Sequence, residues 1–139
     1  MPKKINSPRK KLTRQELKDL DLEILFLEGI LRRDPAYIEA LQILGDDYTR
    51  RGLYAEGLKI DQRLILLRPD DSIVHYNLAC SYSLTDQMEL AFEALHAAIS
   101  LGYRDFKAMD NDPDLDNVRQ HSEYKRIRAK MRGFQPKTP

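Results

Sequence analysis

The sequence predicts an all-α fold in which antiparallel helix hairpins stack side by side, and three observations carry that reading. First, the chain matches itself at an offset of 34 residues: Leu41 falls on His75, Leu44 on Leu78, Gly45 on Ala79 and Tyr48 on Tyr82, and the match resumes with Gly57 on Ala91, Ile65 on Ile99 and Leu67 on Leu101. A fixed period of this length marks one supersecondary unit used more than once. Second, apolar residues within each unit recur at i, i+3, i+4 and i+7, the period of a helix with one buried stripe. Third, the composition is 42% apolar and 32% charged, rich in Leu, Ala, Glu, Lys and Arg, which favours helices over sheets. A chain of 139 residues builds one core and rarely two. One domain is therefore expected over residues 13–132, between tails at 1–12 and 133–139 that are expected to be disordered.

In chain order, residues 13–33 predict a helix that starts at a capping box, "TRQE", in which the Thr13 hydroxyl and the Glu16 carboxylate each satisfy a free backbone N–H. Residues 36–69 form the first full unit. Leu41, Leu44, Gly45 and Tyr48 make the stripe of its first helix, Gly52 stops that helix, and Pro69 ends the second. Small residues, Gly45 and Gly57, stand where the two rods approach each other. Residues 70–103 repeat the plan with Ala79 and Ala91 in those places. Residues 104–132 read as a cap over the last hairpin, which a repeat array needs to cover its final apolar face. Within the cap, Pro113 and Asp114 start a short helix through Val118, and Tyr124, Ile127 and Met131 lie on one side of a helix over 122–132.

The helix hairpin with Leu41, Leu44, Gly45, Tyr48, Gly57, Leu64 and Pro69 in these slots resembles a tetratricopeptide repeat, and His75, Leu78, Ala79, Tyr82, Ala91 and Ala98 resemble a second one. The resemblance covers residues 36–103. It departs at Gly57, where Ala is usual, at Asp61, where a large ring is usual, and at Tyr103, where a closing Pro is usual. Counting back one period aligns Pro35 with Pro69 and Ile30 with Leu64, so residues 13–33 resemble the second half of a further repeat whose first helix is missing.

The resemblance implies a right-handed superhelical stack whose first helices line a concave groove. The implied groove residues are Glu39, Gln42, Asp46, Thr49 and Arg50 from one unit and Ile73, Tyr76, Asn77, Cys80, Ser83 and Leu84 from the next. One wall is polar and somewhat acidic, the other apolar, so the expected ligand is a peptide segment with a basic residue beside an apolar anchor. Ile73 and Tyr76 are the expected anchors, since an exposed aromatic beside an exposed β-branched residue is seldom idle. A subtype of the family clamps C-terminal carboxylates with Lys, Asn and Arg. Here Gln42 and Asp46 replace two of those residues and only Asn77 fits, so that ligand is not expected.

The helix at 13–33 carries Leu22, Ile24, Leu25, Phe26, Leu27, Ile30 and Leu31, which cover more of the cylinder than one stripe requires. Burying a Leu or Phe is worth about 1.5–3 kcal/mol. Leu22, Leu25 and Phe26 are accordingly expected to meet another chain, most simply a second copy about a two-fold axis.

Charge is segregated: residues 1–14 carry six basic residues and no acid, residues 117–139 seven against Glu123, and residues 15–116 ten against 21 acids. Basic ends suit nucleic acid or anionic lipid, but no aromatics interleave with them as in single-strand binders, and solvated tails are the preferred reading. Chemistry is scarce. "DNDPDLD" spaces Asp110, Asp112 and Asp114 like a calcium loop, yet Leu115 and His121 occupy the slots that need Gly and Glu, so helix capping is expected. Cys80 and His75 sit five residues apart, about 140° around a helix, and would not face each other. No catalytic, cofactor or metal site is expected, so the chain reads as a non-enzymatic interaction module or adaptor, with a chaperone for one client as the alternative. One cysteine and no apolar run of about 20 residues place it by expectation in the cytoplasm.

Overall fold

Thr13 begins the first helix as its sequence requires: its hydroxyl accepts from the Glu16 N–H at 3.1 Å, and its own N–H donates to Glu16 Oε1 at 3.3 Å. The structure, a computed structural model, describes residues 11–134, and among them are eight α-helices and no strand. The expected tails therefore lie mainly outside the described residues. The helices are α1 (Arg14–Arg33), α2 (Ile38–Arg51), α3 (Tyr54–Leu67), α4 (Ser72–Leu84), α5 (Met88–Ser100), α6 (Phe106–Asn111), α7 (Asp116–Arg119) and α8 (Tyr124–Arg132), with one turn of 3-10 helix at Pro113–Leu115.

Each helix from α1 to α5 packs on the next in sequence, across turns too short for any other partner. Gly52 ends α2 at φ 85°, a left-handed conformation that other residues avoid. Asp71 starts α4 by accepting from the N–H groups of Ile73 and Val74 at 2.9 and 3.3 Å, a cap worth about 1 kcal/mol. The α2–α3 crossing depends on its glycines. A methyl group on Gly45 would come within 3.1 Å of Ile60 Cγ2, and one on Gly57 within 3.2 Å of Thr49 Oγ1.

The core has two lobes. In the first, Leu20, Ile24, Leu27 and Leu31 of α1 meet Leu41, Leu44 and Tyr48 of α2 and Ile60 and Leu64 of α3. In the second, Leu78 of α4 and Phe92, Leu95 and Ile99 of α5 are closed over by Met109, Leu115, Val118, Tyr124, Ile127 and Met131. Ile65 of α3 packs against both lobes. The departure at Asp61 has a local reason: this buried carboxylate accepts from the Ser81 hydroxyl of α4, so a polar pair replaces a ring between the hairpins. His96 is half-buried, and burial, then the nearby Lys130 charge, lowers its imidazole pKa.

Candidate interaction surface

The residues singled out for the groove and for contact with another chain are placed by the structure in three settings. On α2, Glu39, Gln42, Asp46 and Arg50 share one side of the helix, as spacings of three and four residues demand. Glu39 and Arg50 are exposed, Gln42 and Asp46 half-buried. Between them stands Ile43, 46% exposed, a residue the motif comparison did not single out. Its signal was legible: Ile43 lies four residues after Glu39 and three before Asp46, so it had to share their face. Thr49 belongs elsewhere. It is buried, and its hydroxyl donates to the Gly45 carbonyl at 3.0 Å.

On α4 the expectation is corrected. Tyr76, Asn77, Cys80 and Ser83 are buried, not open to a ligand, because the segment that follows α5 folds across this side of the helix. Tyr103 stacks on Tyr76 with ring centroids 4.4 Å apart and planes 7° from parallel. Behind it, Asp112 Oδ2 accepts from the Tyr76 hydroxyl at 2.7 Å, while Asp112 Oδ1 accepts from the Asp114 N–H at 3.0 Å. Asn117 Nδ2 donates to the Ser83 carbonyl at 3.3 Å. Burial, then the neighbouring Cys80 and Asp112, pushes the Tyr76 phenol far above its ordinary pKa, so it remains a donor at any physiological pH. Ile73 and Leu84 are half-buried at opposite ends of α4 and do not meet as one apolar wall.

Of the acidic run expected to act as caps, Asp112 does so for the 3-10 turn, whereas Asp110 accepts from the Tyr124 hydroxyl at 2.8 Å; Asp105, outside that run, caps α6 by accepting from the Ala108 N–H at 3.1 Å. The Cys80 thiol and the Asp112 and Asp114 carboxylates lie within 4.8 Å of one another. Both oxygens of Asp112 already accept hydrogen bonds, which makes this cluster a brace between α4 and the covering segment.

The third setting is the seam between α1 and α2. Arg51 Nε meets Asp21 Oδ1 at 2.7 Å, and the Tyr48 hydroxyl donates to Glu28. Asp47 is buried beside Glu23, with Arg50 Nη1 3.9 Å from its Oδ1. Burial first, then the hydrogen bond and charge of Glu23, push the Asp47 carboxyl up to about 8. These links hold one side of α1 on α2 and turn the other outward, where Leu22, Leu25 and Phe26 stand 65%, 61% and 68% exposed.

No protein-family model matches the chain. It is similar to a chloroplastic protein of Arabidopsis thaliana, 32% identical over 83 residues that make up 58% of this chain and 25% of that protein. The chain therefore spans a quarter of the length of the relative it matches. Among the described residues, no helix is long and apolar enough to cross a membrane.

Proposed function

We propose that the chain is a non-enzymatic interaction module, a tetratricopeptide-like right-handed superhelical stack whose working surface is the exposed side of α2. The observation that carries this reading is Ile43, 46% exposed amid Glu39, Asp46 and Arg50. An apolar side chain bordered by carboxylates suits a peptide segment with an apolar anchor next to Lys or Arg. The 34-residue period and the packing of each helix on its neighbour support the array.

The test is a titration of the full chain with a panel of short peptides that pair one Leu or Phe with flanking Lys or with flanking Glu. Lys-flanked members are expected to bind, and Glu39→Lys with Asp46→Lys is expected to weaken them at least about tenfold. Equal binding of both sets, or no change in the double variant, rejects the α2 surface. The second reading, a chaperone for one client, draws on the exposed leucines of α1 and predicts a single protein whose solubility depends on co-expression with this chain. Imaging of a tagged chain separates the cytoplasm from the chloroplast, the compartment in the relative's name.

A further inference from the structure

We propose that the outward face of α1 is the seat of an amphipathic helix supplied by another protein, apolar along one stripe and acidic toward its ends. The proposal concerns a surface separate from α2 and stands without the α2 reading.

The repeat register locates the seat. The buried residues of α3 are Gly57, Ile60, Asp61 and Leu64. Ile60 presses on the first helix of its own hairpin, within 3.1 Å of where a Gly45 methyl would sit. One period later Ala94 of α5 is buried in the same way, at 6% exposure. One period earlier stands Phe26, 68% exposed. In both hairpins this position is covered by a helix, and on α1 the described residues provide none.

The charges identify the occupant. Arg14 and Lys18 lie at one end of the apolar stripe and Arg32 and Arg33 at the other, all exposed and without an ion-pair partner among the described residues. The Arg32 guanidinium lies over Gly29, 3.6 Å from where a side chain there would begin, and with Arg33 it rims a shallow notch lined by Leu25, Phe26, Gly29 and Ile30. A carboxylate beside an apolar side chain fits such a notch.

A second copy fits less well. In an antiparallel pair Arg14 and Lys18 would face Arg32 and Arg33, in a parallel pair each would face itself, and both bring like charges together. The first ten residues of the sequence, with Lys3, Lys4, Arg9 and Lys10 and no acid, would likewise add positive charge to positive ends. An anionic membrane would bring negative charge along the whole stripe, past the exposed carboxylate of Asp19, whereas the helix proposed is acidic only toward its ends.

The experiment uses the full chain and two synthetic helical peptides of about 18 residues, five turns, with the same leucine stripe and either Glu or Lys at both ends. The Glu-ended peptide is expected to bind at least about tenfold more tightly than the Lys-ended one. Arg32→Glu with Arg33→Glu is expected to invert that order, and Leu22→Ser with Phe26→Ser to abolish binding with the circular dichroism spectrum unchanged. Glu39→Lys with Asp46→Lys on α2 is expected to leave it intact. Equal affinity for the two peptides overturns the proposal, and so does binding that survives the Leu22/Phe26 pair. A wild-type dimer dissociated by that pair would assign the face to a second copy, and binding only to phosphatidylserine vesicles would assign it to lipid. Either result overturns the proposal as well.

Discussion

Replacing Tyr76 by alanine is expected to lower the stability of the chain by about 3–5 kcal/mol, the cost of emptying a large aromatic site in a core. Three losses coincide there. The ring is fully buried, it stacks on Tyr103 at 4.4 Å, and its hydroxyl is the donor to Asp112 at 2.7 Å. Tyr76→Phe keeps the volume and the stack but leaves the Asp112 carboxylate short of a donor, and its cost is expected to be about 1–3 kcal/mol. Urea unfolding of the two variants measures both. The ordering carries the information, since a surface tyrosine would change stability by no more than about 0.5 kcal/mol on truncation. Amide exchange should also rise first in α6 to α8, which Tyr76 and Asp112 tie to α4.

Asp47→Asn is expected to change the pH dependence of stability more than any other single substitution. The Asp47 carboxyl is pushed up to about 8 in the folded chain from 3.8, so the folded state holds a proton that the unfolded state has released. Its contribution is fully present below pH 3.8 and is lost as pH rises through about 8. The wild type should therefore lose stability between about pH 5 and about pH 9 relative to the asparagine variant, by at least about 2 kcal/mol. Asparagine fills the same space, carries no charge and can donate to Glu23. Parallel profiles for the two proteins across that range would show that Asp47 is not held protonated in the folded chain.

How much of this was legible in the sequence depended on the range of each interaction. The helix start at Thr13, the stop at Gly52 and the close approach at Gly45 are local or follow from the 34-residue period, and the structure has them where the residues predict. The side of α4 was misjudged because its cover is distant in sequence. Tyr76 and Asp112 are 36 residues apart, and no pattern around Tyr76 announces that a later segment will lie on it. The family pattern supplied groove positions without a cover, and here the segment after α5 lies on that side of α4. α6 escaped notice for a related reason: six residues, Phe106–Asn111, are too few to show a period. The exposed stripe of α1 was visible as surplus apolar residues. Which of them face outward required knowing that Leu20, Ile24, Leu27 and Leu31 are the ones that meet α2.

The segment after α5 closes the side of α4, and α1 and α2 are the surfaces proposed for partners. Cys80, the single cysteine, lies beneath that segment with its Sγ 3.8 Å from Asp112 Oδ2, so the rate at which an aromatic disulfide reagent labels the native chain measures the closure directly. Labelling is expected to be at least about a thousandfold slower than in urea, because it must wait for the segment to open. A native rate within about tenfold of the unfolded one would show that this side of α4 stands open.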